Sequence, residues 1–208
     1  MCNVQAVGNL LAQEKTDFSE IREALKDIEA GAKRGGAVVH HLRGLYAKTP
    51  QIKAALQVND ILEQTIGLLR SELVLKKTTV QLELDPNLRL IRGSRVELQQ
   101  VVLNLVTNAL EAMTACENGA RLLYIRTAFD EPATIRASFR DCGTGLTEEQ
   151  LRHMFEPLRT TKVGGMGMGL TICLAIIEGH GGRLWAENNP ECGSTFHFTL
   201  PAFSSGPS

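Results

Sequence analysis

Glu97 to Met113 reads ELQQVVLNLVTNALEAM, and this stretch decides the fold. Val101, Leu105 and Leu110 recur at near-helical spacing and predict one apolar helix face. Asn104 and Asn108 interrupt the pattern. They stand four residues apart, so a helix carries them one turn apart on one side. Asparagine is a modest helix former and is costly to bury without partners. Two readings follow: an amide pair satisfied by neighbouring backbone, or a polar strip facing a ligand or metal ion.

Outward from this helix the pattern changes period. Asn59 to Leu75 reads as a helix capped by Asn59, with Leu62, Ile66, Leu69 and Leu73 inward. Thr78 to Leu84 alternates as a strand, with Val80, Leu82 and Leu84 on one face. Arg89 to Arg92 suits a short strand. Arg121 to Phe129 and Ala133 to Phe139 read as a hairpin turning at Asp130-Glu131-Pro132. Leu170 to Glu178 is a helix ended by Gly181-Gly182. Arg183 to Glu187 and Ser194 to Leu200 are closing strands. Three helices on one face of an antiparallel or mixed sheet make a two-layer α+β domain.

Toward the N-terminus, residues 3–14 and 18–48 are helical patterns. The longer one has an apolar stripe that the shorter cannot cover, so a partner helix is expected, from this chain or another. Thr49-Pro50 ends the region. The expected organisation is a helical hairpin over 1–49, a main domain over 50–201, and a Pro/Gly/Ser-rich tail over 202–208.

Of the 208 residues, 43% are hydrophobic and 22% charged, with a net charge of −1. Scattered basic residues give no footprint for nucleic acid or an anionic membrane. Five cysteines without metal-ligand spacing point to a reducing, cytoplasmic setting. No apolar run reaches membrane-spanning length.

Three segments carry chemistry beside the asparagines. Asp141-Cys142-Gly143-Thr144-Gly145 follows a strand. Its aspartate can accept from an exocyclic amine, and its glycines admit a ligand ring; it reads equally as a plain Asp/Gly turn. Gly165, Gly167 and Gly169 lie in a glycine run that leads directly into a helix. Exposed N–H groups and the helix N-terminus suit phosphates, whereas a structural glycine run is the plainer alternative. The run is neither a Walker loop nor a dinucleotide fingerprint. Between them, Thr160, Thr161 and Lys162 suit a lid with a cation near phosphate. A divalent ion between phosphates and the Asn108 carbonyl oxygen would complete a Mg-nucleotide pocket.

The order of these segments resembles the ATP-binding domain of sensor histidine kinases, within the superfamily shared with gyrase, the Hsp90 chaperones and MutL. Asn104 to Ala109 is similar to the N box, Asp141 to Gly145 to the G1 box, Phe155 to Lys162 to the F box, and Gly165 to Leu170 to the G2 box. Trp185 to Asn188 and Gly193 to Phe198 resemble the closing strands. The resemblance covers about residues 58–201. It implies the histidine-kinase ATPase sandwich, a mixed sheet covered by three helices, with ATP and Mg2+ as cofactors. It implies Asn108 as the magnesium ligand and Asp141 as the adenine-binding residue. Asn104, Gly143, Gly145, Thr160, Thr161, Lys162, Gly165, Gly167, Gly169 and Leu170 would line the nucleotide. Asn104, Asn108, Glu111 and Lys162 are the catalytic candidates, Glu111 assisting metal or water placement.

Asn104 stands where the hydrolysing relatives have a glutamate base, which favours phosphoryl donation over hydrolysis. Arg159 replaces an F-box aromatic, and Cys142 and Thr144 replace the common Asn and Pro. The N-terminal helices resemble the end of the dimerisation and phosphotransfer hairpin. The phosphoacceptor histidine belongs earlier, and none precedes His40. His40 and His41 read as surface or dimer-interface residues, and His153, His180 and His197 as structural. The expectation is a kinase core donating the γ-phosphoryl group to a histidine absent from this chain, dimerising through its N-terminal helices with a copy or a relative. Its partners would be a response regulator or a full-length histidine kinase. The alternative is a catalytically inactive, nucleotide-binding and dimerising regulatory module.

Overall fold

A computed structural model describes residues 53–114, 120–130, 133–156 and 168–203. The expected hairpin over 1–49, His40 and His41, and most of the tail lie outside them. The chain divides after Pro50, and the unit from Gln51 to Ser208 holds every described element. In chain order these are β1 (Ala54–Leu56), α1 (Val58–Leu68), α2 (Arg70–Leu75), β2 (Thr78–Glu83), β3 (Ile91–Gly93) and α3 (Arg95–Thr114). They continue with β4 (Arg121–Asp130), β5 (Thr134–Arg140), α4 (Glu148–His153), α5 (Gly169–Gly179), β6 (Arg183–Asn188) and β7 (Ser194–Pro201).

The main sheet runs β2-β4-β5-β7-β6. β2 lies parallel to β4, and every other neighbouring pair is antiparallel. The sheet is therefore mixed. β1 and β3 form a separate antiparallel pair. β1 is only three residues long and carries no alternating signal, so the sequence did not reveal it.

Alternation sorts the sheet into two faces. Leu123 and Ile125 of β4, Ile135, Ala137 and Phe139 of β5, and Phe196, Phe198 and Leu200 of β7 are buried. They meet α3 and α5. Helix α3 buries Leu98, Val101, Val102, Leu105, Val106, Ala109, Leu110 and Met113, a stripe at three- and four-residue steps. Each of the Leu, Val and Met side chains contributes roughly 1.5–3 kcal/mol of burial. Asn104, Thr107, Asn108 and Glu111 recur at the same steps along the opposite, less buried side of α3.

The expected helix from Asn59 to Leu75 is broken. Leu69 leaves helical geometry (φ −86°, ψ 1°), which separates α1 from α2. One turn earlier, the buried Thr65 hydroxyl donates back to the Ile61 carbonyl, a bond that bends helices. Leu69 and Leu73 are buried at and after the break. Asn59 is not the cap; Gln57 holds that position without a side-chain bond. Instead the Asn59 amide donates to the Asp85 carbonyl (2.8 Å), and its oxygen accepts from Thr127 Oγ1 (3.0 Å). The residue ties α1 to the sheet. Val80 of β2 and Leu84 just after it pack against the core, but Leu82 is 39% exposed because β2 is an edge strand.

His180 is a structural joint. Its Nε2 accepts from the Ser94 N–H (3.0 Å), and its Nδ1–H donates to the Ile176 carbonyl (2.7 Å). Glu97 lies 3.7 Å from Nε2, but that nitrogen already serves as an acceptor, so this contact is no ion pair in the neutral ring. One buried ring thereby fixes the start of α3 against the end of α5. Among the described residues, no helix is long and apolar enough to cross a membrane.

Candidate functional site

β5 ends at Arg140, and Asp141 follows it into a tight turn. The Asp141 side chain is buried. Its Oδ1 accepts from the Gly143 N–H (2.7 Å) and the Ser194 N–H (3.2 Å), and its Oδ2 from the Ser194 hydroxyl (2.8 Å). A carboxylate has about four acceptor positions. Those three donors leave Oδ2 capacity for one more, which fits an exocyclic amine. Ser194 is the residue the sequence reading missed. Its signal was its place directly after Gly193 at the head of a strand, where β7 runs beside β5.

The turn is pressed against α3. A Cβ on Gly143 would sit 2.8 Å from the backbone and side chain of Ala112. No other residue fits there, so the glycine sets the approach of the turn to the helix. That approach brings Asp141 and Gly143 beside the α3 stretch that bears Asn108 and Glu111. Gly145 adopts φ +71°, a left-handed conformation natural to glycine. Asn188 holds the next residue at two points, accepting from the Leu146 N–H (2.8 Å) and donating to the Leu146 carbonyl (2.7 Å). Asn189 donates to the Asp141 carbonyl (2.8 Å) and the Cys192 carbonyl (3.0 Å). The two asparagines at the end of β6 thus hold the turn from behind.

On the far side, Asn104 faces the first turn of α5. Its amide donates to the Gly169 carbonyl (3.3 Å) and to Cys173 Sγ (3.6 Å). A Cβ on Gly169 would lie 3.9 Å from the Asn104 side chain. The Asn104 amide nitrogen is thus turned toward the start of α5. Thr171 donates to the Phe155 carbonyl (3.2 Å), which pins the stretch after α4 to the same turn of α5. Leu170 packs at the core margin. Asn108 is half-buried and Glu111 exposed on the polar stripe. Thr160, Thr161, Lys162, Gly165 and Gly167 lie outside the described residues.

Cys173 is buried in the α3–α5 contact. Burial pushes its thiol up to about 12, opposed by the hydrogen bond from Asn104. The thiol therefore stays protonated at working pH and is a poor nucleophile. We expect iodoacetamide at pH 8 to modify exposed Cys192 and to spare Cys173 until denaturant is added, as read by peptide mass spectrometry. Unfolded thiols ionise near pH 9 while Cys173 holds its proton to about 12, so its contribution to stability fades as pH rises from 9 to 12.

Three comparisons bear on this geometry. Residues 93–204 match the family model "Histidine kinase-, DNA gyrase B-, and HSP90-like ATPase", which is more than half of the chain. The sensor protein FixL of Bradyrhizobium diazoefficiens is 34% identical over 183 residues, covering 88% of this chain and 36% of FixL. TdiS of Thauera aromatica is 32% identical, covering 88% of this chain and 34% of TdiS. The chain thus spans about a third of the length of these relatives. Among solved structures, the catalytic domain of histidine kinase ThkA is 32% identical with a TM-score of 0.62, covering 72% of this chain and 95% of that one. ThkA in complex with the response regulator TrrA shares the fold at 23% identity, with a TM-score of 0.70 over 97% of this chain and 58% of that one.

Proposed function

Because this chain belongs to the histidine kinase-, DNA gyrase B- and HSP90-like ATPase family, we propose that it is the Mg-ATP-binding core of a two-component sensor histidine kinase. Its γ-phosphoryl group goes to a histidine that this chain does not carry. The observation behind this reading is Asp141: a buried carboxylate, held by Gly143 and Ser194, with one acceptor position left beside a glycine turn. That arrangement suits the amine edge of adenine.

Asp141 would bind the base, and Gly143 and Gly145 would leave room for its ring. The start of α5 offers N–H groups and partial positive charge to phosphates. Gly165, Gly167, Thr160, Thr161 and Lys162 are assigned to the same phosphates by motif position. Bound Mg2+ would supply charge neutralisation of the phosphates. Among the described residues no cluster of three His, Cys, Asp or Glu can hold a metal. Few protein ligands plus phosphates is the usual magnesium arrangement. Asn108 is assigned as the protein ligand, with Glu111 one turn away to order water.

Asn104 is an amide and accepts no proton at neutral pH. Its donor group is directed to Gly169 and Cys173 of α5. The site therefore lacks a general base at this position, which favours donation to an imidazole over hydrolysis. The likeness to ThkA supports a response regulator as the downstream partner. The segment before Pro50, whose sequence has a helical pattern, is assigned to dimerisation, with a copy or a full-length histidine kinase.

The test uses the full chain, labelled ATP and a separate helical hairpin bearing a phosphoacceptor histidine. Label should appear on the hairpin and not on this chain, and Asn108→Ala should abolish the Mg2+ dependence of ATP binding in calorimetry. ATP binding without transfer would leave a nucleotide-binding regulatory module. Label on this chain alone would assign the acceptor role to His40 or His41. An Asn108→Ala variant whose ATP affinity still falls on Mg2+ removal as the parent's does would overturn the metal assignment.

A further inference from the structure

The sheet has a second face, which none of the nucleotide chemistry uses. Among the described residues no helix covers it. Strand alternation points Tyr124 and Arg126 of β4, Arg136, Ser138 and Arg140 of β5, and His197 of β7 to this side. The register brings them together: Tyr124 pairs with Arg140, Arg126 with Ser138, and Ser138 with His197. Ser138, a small residue, therefore sits at the centre. Arg136 and Arg140 flank it along its own strand, and Arg126 flanks it across the ladder. The result is an open depression of about 280 Å3 whose lining holds three arginines and no carboxylate.

We propose that this face docks an acidic segment of a protein partner. An exposed sheet face with scattered arginines is ordinary, so the charge placement decides. The carboxylates of this face stand at its margin. Glu83 on the edge strand pairs with Arg126 (3.3 Å), and Asp130 at the end of β4 pairs with Arg136 (2.9 Å). Arg140 has no ion-pair partner among the described residues. Burial lowers the His197 pKa, against the opposing bond from Glu187, so at neutral pH the ring adds no charge. The centre is positive through its guanidinium groups, and the rim is mixed.

That pattern selects the occupant. Guanidinium forks match carboxylates in two-point geometry. Arg126 and Arg136 already take carboxylates from their own chain, so a partner's carboxylates can exchange with them. Trp185 stacks on His197 at 5.0 Å between ring centres, and Arg183 lies over Trp185 at 5.4 Å. Arg, Tyr and Trp are the residue types that dominate protein-protein contacts. A nucleic acid needs an extended basic stripe; here marginal Glu83, Asp130 and Glu187 would repel its backbone. An acidic peptide is short enough to stay within the positive centre.

The test is a titration of the isotope-labelled full chain with a glutamate-rich peptide, followed by amide NMR shifts. Its controls are the same peptide with glutamine for glutamate, and a single-stranded DNA oligomer. Expected are shifts confined to β4, β5 and β7 around Arg126, Ser138 and Arg140. Arg140→Glu should weaken binding at least fivefold and Arg140→Lys less, with ATP affinity unchanged in both. Equal shifts from the glutamine peptide, shifts centred elsewhere, no shifts at millimolar peptide, or tighter binding of the DNA would each overturn the proposal.

Discussion

Asp141→Asn should lower ATP affinity by about 30- to 150-fold, the equivalent of roughly 2–3 kcal/mol for a lost hydrogen bond to a charged, buried acceptor. The substitution is close to isosteric. Its amide oxygen can still accept from the Gly143 and Ser194 N–H groups that Oδ1 serves. The Ser194 hydroxyl, which donates to Oδ2, can turn and accept instead. The fold should therefore survive, with melting temperature within a few degrees of the parent. What changes is the remaining position on Oδ2, which becomes an N–H donor. Facing an exocyclic amine it meets another donor, while facing a 6-oxo purine it finds an acceptor. Calorimetry with ATP and ITP should show the preference for ATP lost or reversed. Equal ATP affinity in parent and variant would remove Asp141 from the base-binding role.

Gly193→Ala should be the most damaging small substitution near the site. Gly193 has φ +77°, and an added Cβ would lie 2.2 Å from the Asp141 carbonyl oxygen and 2.7 Å from Oδ1. The left-handed backbone costs about 1–2 kcal/mol for alanine. The collision is with backbone that Asn189 also holds, and overpacking of this kind adds about 1–3 kcal/mol. Together they amount to roughly 3 kcal/mol, or a fall of about 10 °C in a domain of this size. ATP binding should fall with it, because relief of the clash displaces Asp141. Gly67→Ala is the control. It lies in α1 with nothing within 4 Å of the added Cβ, and helix propensity makes it neutral or stabilising by about 0.5–1 kcal/mol. A Gly193→Ala melting curve matching that control would refute the argument.

Where periodicity was strong, the chain could be read directly. Val101, Leu105 and Leu110 mark the buried face of α3 because the helical repeat and the burial repeat coincide. The β4–β5 hairpin and the α5–β6–β7 run followed from alternation and paired glycines. The reading failed where tertiary contact overrode local preference. Asn59 has cap chemistry but serves a sheet contact, because Thr127 and Asp85 lie within its reach. The expected helix breaks at Leu69, where neither glycine nor proline marks the position. β1 escaped notice because three residues carry no period.

The site divides in the same way. Asp141, the glycine turn and the two asparagines of α3 stand out in the sequence as residue types at fixed spacing. The two-layer α+β class, the order of the motifs and the absence of a carboxylate at position 104 can be read from the residues alone. That Ser194 holds Asp141, that Asn104 turns to α5 and that three arginines from two strands surround Ser138 emerges once the strands are in register. Those facts depend on strand order and register, which are set by packing across the chain and leave no mark at any one position.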